Sequence, residues 1–144
     1  MKKEMIIQLE TNLDHLSGEE TGAAIRALSG LDCVLDVIYL SGIGKKNRPS
    51  GLLRVLCAPP DEERTTLAVF RHTHTLGIRI QKIERVILSR RESAVSINGE
   101  IVRAKEYELE GEAFVRPEAD EVDKLATDRG VGSPAFRFAR DGKA

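Results

Sequence analysis

The sequence predicts a mixed α+β chain: four strands and two helices in one intermingled domain, followed by a smaller strand-rich piece and a last helix. Three observations carry this. Short apolar runs alternate with stretches of helical spacing, in the order strand, helix, strand, strand, helix, strand, over residues 1–90. Gly, Pro and a serine cap punctuate the joins between them. Beyond residue 90 the pattern changes to two-residue alternation around Asn98-Gly99.

The elements follow in order. Residues 5–9 read as a buried strand. Ser17-Gly18-Glu19-Glu20 forms a capping box, with Ser at the cap and Glu three residues on. It opens a helix over 18–28 that turns Ile25 and Leu28 to the core and stops at Gly30. Strands over 34–40 and 52–57 are joined by a long hairpin loop rich in Gly, Lys and Asn. Pro59-Pro60-Asp61 ends the third strand and opens a helix over 62–72, with Leu67, Ala68 and Phe70 as its apolar positions. A fourth strand, long or bent, covers 78–88. Next come a hairpin over 94–97 and 100–104, then an alternating run over 105–115 that places Tyr107, Leu109 and Ala113 on one face. Pro117 opens a last helix over 118–129, ended by Gly130, and the tail over 141–144 is expected to fray.

This order is the split βαβ, or ferredoxin-like, arrangement over residues 1–90, with a β-hairpin appendage and C-terminal helix over 91–144. Tracing the chain places the β1–α1, β2–β3 and α2–β4 connections at one end of the domain. Three polar clusters fall there: Glu10-Thr11-Asn12-Leu13-Asp14, Gly44-Lys45-Lys46-Asn47-Arg48-Pro49, and Arg71 to Arg79.

Composition narrows the function classes. A chain of 144 residues buries roughly 70% of its unfolded surface without a staple. A net charge of −1 supplies no long-range positive field, which argues against a general nucleic-acid or membrane role while leaving local anion sites open. Cys33 and Cys57 lie in apolar runs without CxxC spacing and read as buried free thiols, although two cysteines also permit one disulfide. The start carries neither a signal-peptide pattern nor a spanning segment, so the cytoplasm is the expected compartment.

The three clusters suit a metal–polyphosphate site. Glu10 and Asp14 can serve a hard cation such as Mg²⁺ or Mn²⁺, which takes one or two carboxylates plus phosphate oxygens. Equally, acids near a helix start satisfy the helix dipole, and capping is the simpler role for Glu20. Lys45, Lys46 and Arg48 can cradle phosphate or form a solvated hairpin tip; Pro49 would stiffen Arg48 for bidentate contact. No P-loop and no nucleophile elbow is present. His72-x-His74 in an extended segment can chelate a transition metal, and Thr73 and Thr75 can donate to phosphate or satisfy a turn.

Taken together, Glu10-Thr11-Asn12-Leu13-Asp14 with Ser17-Gly18-Glu19, Lys45-Lys46-x-Arg48-Pro49, and Thr73-x-Thr75-x-Gly77-x-Arg79 resemble three motifs of the C-terminal region of the LarC family of nickel-pincer cofactor biosynthesis proteins. The resemblance covers about residues 6–130, with weaker matches at Val34-Leu35-Asp36-Val37 and Arg116-Pro117-Glu118. It implies part of a cyclometallase that inserts nickel into a pyridinium-bisthiocarboxylate mononucleotide using CTP with Mn²⁺ or Mg²⁺. On that implication Glu10 and Asp14 hold the cation, Lys45, Lys46, Arg48 and Arg79 hold the triphosphate, and Thr73 and Thr75 donate hydrogen bonds. The chain departs from the family's pattern at His15 and His72, where acids are expected. The family's N-terminal portion, with its His-rich nickel-binding part, has no counterpart in this sequence, so the chain reads as a separately encoded subunit with a separate N-terminal partner, as a piece of a longer protein, or as a standalone relative with a changed role, and the isolated chain is expected to be inactive. A homo-oligomer is also expected, because the sheet edges need cover. The alternative reading is a non-enzymatic, self-associating module that senses a small ligand or metal.

Overall fold

The computed structural model describes residues 1–133 of the chain; the tail expected to fray lies outside the described residues. The chain divides into two compact units, one of Lys3–Arg85 and one beginning at Val86. The first contains β1 (Lys2–Leu13, from its second residue), α1 (Gly18–Ser29), β2 (Asp36–Ile43), β3 (Pro49–Cys57) and α2 (Glu62–Thr73), with β4 (Arg79–Ile87) running two residues past the boundary. The sheet order is β2-β3-β1-β4, with β1 and β2 each antiparallel to β3. This is the ferredoxin-like split βαβ topology.

Alternation decides the faces. Ile7, Leu9 and Leu13 from β1, with Leu53, Val55 and Cys57 from β3, are buried against Leu28 of α1 and Ala68 and Val69 of α2. The intervening residues Gln8, Glu10 and Asn12 therefore point to the other face of the sheet. The same two-residue period explains why β1 runs four residues past its expected end at Leu9: Thr11 and Leu13 are buried and continue the inward row. The β2–β3 hairpin is likewise tighter than expected, with Ile43 paired to Pro49 and only Gly44 to Arg48 outside the ladder.

At α1 the capping box forms. Ser17 accepts from the Glu20 amide at 3.2 Å, the Glu20 carboxylate accepts from the Ser17 amide at 2.7 Å, and Gly30 closes the helix. The bond to the Ser17 amide also holds the Glu20 carboxyl below its ordinary value. The buried face of α2 differs from the expected one. Thr65, Ala68, Val69 and Thr73 face inward, whereas Leu67 is 48% and Phe70 36% exposed. The threonines are tolerated because Thr65 donates to the Cys33 carbonyl at 3.2 Å and Thr73 to the Val69 carbonyl at 2.7 Å.

Both cysteines are buried and free, and burial pushes the Cys57 thiol up from its ordinary value. The folded chain should therefore resist alkylation by iodoacetamide at neutral pH and take up two equivalents only after denaturation. Rapid labelling of the native chain, read by intact mass, would contradict this packing.

The second unit is a three-stranded sheet, β5 (Arg90–Ile97), β6 (Glu100–Leu109) and β7 (Glu112–Pro117), followed by α3 (Ala119–Asp128). Asn98 and Gly99, with φ of 52° and 82°, make the β5–β6 turn, in which both central residues are left-handed. The run over 105–115 is two strands instead of one, because Glu110 (φ 53°) and Gly111 (φ 84°) form a second such turn. Tyr107 consequently pairs with Phe114, while Ala113 lies opposite Glu108, so Phe114 replaces Ala113 on the Tyr107 face. Ile97, Val102, Val122, Leu125 and Ala126 form this unit's core. Pro117 ends β7, with α3 starting two residues later, and Gly130 (φ 66°) follows the helix. Among the described residues, no helix is long and apolar enough to cross a membrane.

Candidate functional site

The three polar clusters meet at one end of the first unit, tied together by side-chain bonds. Thr11, buried in β1, shares a 2.5 Å bond with the Thr75 hydroxyl and donates to the Gly77 carbonyl at 2.8 Å. Arg79 at the start of β4 donates to Asn12 Oδ1 at 2.8 Å. His15 Nε2 donates to the Thr73 carbonyl at 2.8 Å, which fixes the proton on that nitrogen and joins the β1–α1 connection to the end of α2. Arg48 reaches Asp14 at 3.4 Å from the hairpin.

Each candidate residue has a distinct setting. Lys45 and Lys46 are exposed at the hairpin tip, where left-handed Lys46 (φ 60°) and Asn47 (φ 56°) turn the chain sharply. The Gly44 amide donates to the Arg48 carbonyl at 2.8 Å and closes the loop. Beside it lies a shallow cleft of about 130 Å³ lined by Asn12, Gly42, Gly44 and Ser50. Asp14 is half exposed, and its partners among the described residues are peripheral: Arg48, and His15 Nδ1 at 3.9 Å. It is the acid of the first cluster that solvent and a ligand can reach.

Glu10 is placed differently. It points onto the sheet face away from the helices and is largely buried, with Arg54 at 2.8 Å, Gln8 at 3.1 Å and Arg79 at 3.9 Å. A carboxylate already facing two guanidiniums has little left for a cation, so in this structure Glu10 orients Arg54 and Arg79 rather than presenting itself to metal. Thr73 and Thr75 are also turned inward. The Thr73 hydroxyl donates to Val69 and accepts from the Thr75 amide at 3.3 Å, and Thr75 is spent on Thr11 and Gly77. They build the connection; direct donation to a phosphate would require breaking these bonds. His72 lies in the last turn of α2 and His74 is its left-handed cap (φ 51°), so the extended spacing expected for joint chelation is not formed.

Among the described residues, no group of three or more His, Cys, Asp or Glu side chains is arranged to hold a metal by itself. A Mg²⁺- or Mn²⁺-nucleotide does not require one, since the phosphates supply most of its ligands. Asp14, in contact with Arg48 of the hairpin that carries Lys45 and Lys46, fits that donor set. Sequence reasoning missed Arg54. Its signal was the inward row Leu53, Val55 and Cys57, which puts Arg54 on the Glu10 face once Glu10 and Arg54 are in register.

Residues 1–135 match the profile of the family described as nickel insertion protein. The chain belongs to the nickel insertion protein family. One relative, the pyridinium-3,5-bisthiocarboxylic acid mononucleotide nickel insertion protein of Alkaliphilus metalliredigens, is 32% identical over 127 residues, covering 86% of this chain but 29% of that protein. This member thus spans less than a third of the length of that relative. Among solved structures, the apo C-terminal domain of a cyclometallase involved in the synthesis of the NPN cofactor of lactate racemase superposes with a TM-score of 0.84 at 25% identity, covering 96% of this chain and 95% of that one. A protein of Methanopyrus kandleri superposes with a TM-score of 0.59 at 25% identity, covering 93% and 85%. The near-complete mutual coverage with the first of these matches the family member, in both its units, to a C-terminal domain.

Proposed function

We propose that this chain is the nucleotide-binding part of a nickel-inserting cyclometallase, holding a divalent metal–CTP complex at the end of its first unit. The observation that carries this is the contact of an accessible carboxylate, Asp14, with Arg48 of the hairpin whose tip carries the exposed cations Lys45 and Lys46, near a glycine-lined cleft of the same hairpin. Lys45 and Lys46 would neutralise the outer phosphates, and Arg48, stiffened by Pro49 at the start of β3, would exchange its weak contact with Asp14 for a phosphate. Arg79, oriented by Asn12 and Glu10, would meet the ligand from the β4 side. Asp14 would hold the Mn²⁺ or Mg²⁺, which supplies charge neutralisation for the triphosphate. Nickel is a substrate in this reading, delivered by the portion of the longer relatives that this chain does not span. The acceptor is the pyridinium mononucleotide named for the Alkaliphilus relative.

The chain should bind CTP with Mn²⁺ more tightly than either alone, as read by calorimetry against ATP and GTP. Absence of heat with every nucleotide at millimolar concentration would overturn the reading. Lys45→Ala with Lys46→Ala should weaken that binding about tenfold or more while leaving the melting temperature nearly unchanged, because exposed charges contribute little to folding. A large melting shift with unchanged affinity would make the loop structural. Alone, the chain should not insert nickel; adding the N-terminal portion of a relative should supply the missing step.

Self-association is a second reading favoured by one observation. Ile38 and Leu40 are 41% and 49% exposed on β2, on the sheet face away from the helices. Light scattering that returns a mass near 16 kDa at all concentrations would remove it.

A further inference from the structure

The second unit carries a cavity of about 640 Å³ that the nucleotide site does not use. It lies over β6 and is lined by Tyr107 and Leu109, with Leu88 and Ile87 at one side and the start of α3 at another. Its volume falls in the range of small-molecule sites, far above what one phosphate fills. Alternation puts Lys105, Tyr107 and Leu109 on the β6 face opposite the buried residues Val102 and Ala104.

Two features give the cavity a chemistry. The first is an aromatic surface. Tyr107, which lines the cavity, stacks on Phe114 with centroids 5.5 Å apart and planes 17° apart, a contact that holds the ring. The second is charge. Lys105 is paired with Glu118 at 2.6 Å, so its charge is matched locally. Arg90, opposite Tyr107 on β5, and Arg116, opposite Lys105 on β7, both line the cavity, and neither has an acid or hydrogen-bond partner among the described residues. Neighbouring strands are about 4.8 Å apart and the two positions differ by two residues along β6, so these arginines are rooted about 12 Å apart on either side of β6. One small anion cannot engage both roots at once without drawing the side chains together. A ligand with an anionic group at each end of an aromatic body can.

We infer that this face of the second unit binds an aromatic mononucleotide carrying a second acidic group, its ring on Tyr107 and its two anionic ends at Arg90 and Arg116. A pyridinium ring suits the site further, because a cationic ring is attracted to the face of tyrosine. Equating this ligand with the nickel-accepting mononucleotide rests on the proposed function; the site itself rests on the cavity.

The test uses the whole chain and nicotinic acid mononucleotide, a pyridinium with one carboxylate and one phosphate, by calorimetry. The wild type should saturate. Arg90→Ala and Arg116→Ala should each weaken binding about tenfold, since each removes a charge-assisted pair. Tyr107→Phe should bind as the wild type does, and Tyr107→Ala, checked for an intact melting transition, should bind weakly. Nicotinamide mononucleotide, which lacks the carboxylate, should lose about the same tenfold. Lys45→Ala with Lys46→Ala should leave mononucleotide affinity unchanged. No saturation by the wild type, equal affinity in the Arg90→Ala, Arg116→Ala double variant, or equal competition by inorganic phosphate would overturn the inference. If Mn²⁺–CTP binds and the mononucleotide does not, this inference falls alone. If the mononucleotide binds through Arg90 and Arg116 and Mn²⁺–CTP does not bind, the proposed function falls and the site stands.

Discussion

Replacing Gly51 with alanine should lower the stability of the first unit by about 1–3 kcal/mol, and valine should cost more. Gly51 sits in β3 opposite Leu13 of β1 and Ser41 of β2, and it is buried. A Cβ there would lie 2.0 Å from Cζ and 2.1 Å from Oη of Tyr39, whose ring lies across the glycine. The ring would have to swing away and give up its packing against the core, to which Tyr39 contributes from β2. The melting temperature should fall by about 4–8 °C per kcal/mol for a unit of this size. The clash is specific, so Tyr39→Leu in the Gly51→Ala background should recover part of the loss, and a double-mutant cycle should show coupling of about 1 kcal/mol or more. A Gly51→Ala chain that melts within a degree of wild type would show that the ring moves freely.

Thr11→Val should be the most damaging conservative change near the site. The side chain is 2% exposed, and its hydroxyl joins Thr75 and the Gly77 carbonyl. Valine keeps the shape and removes both bonds, leaving the Gly77 carbonyl with only the 3.3 Å bond from Thr75 and the buried Thr75 hydroxyl without its Thr11 partner. The expected cost is about 1–3 kcal/mol. The loss should concentrate in the α2–β4 connection, so amide exchange should accelerate at residues 74–78 before it changes in β1 or β3. Because Arg79 follows that connection, Mn²⁺–CTP affinity should fall as well. Uniform exchange with an unchanged melting curve would mean that the hydroxyl bridge is dispensable.

These two positions also show where the sequence was opaque. The first capping box, Gly30, Asn98-Gly99 and Gly130 announced themselves because each is a local device with a fixed residue type. The topology followed from their order. What local pattern could not give was which polar residues a strand would carry. Glu10 and Asn12 looked like loop residues, yet they are the outward half of β1, paired with Arg54 and Arg79 from other strands. Leu67 and Phe70 drew the expected core face of α2 because they are apolar, whereas Thr65 and Thr73 took it by satisfying their hydroxyls internally. The Glu110-Gly111 turn was hidden because glutamate is an unusual residue for a left-handed position. At the candidate site the convergence of the three clusters was legible from the tracing alone. The division of labour inside it, with Asp14 accessible, Glu10 held by arginines and the threonines turned inward, depends on contacts between residues more than 30 positions apart.

The two cysteines bear on a hazard peculiar to a nickel-handling lineage. Thiolates are among the strongest scavengers of soft and borderline divalent metals, and a surface cysteine would compete with the intended acceptor for every ion in transit. Cys57 is fully covered, Cys33 is nearly so, and the Cys57 proton is harder to remove than in a free thiol. The folded chain thus offers a passing metal no thiolate, and capture by thiolate becomes a property of the unfolded chain.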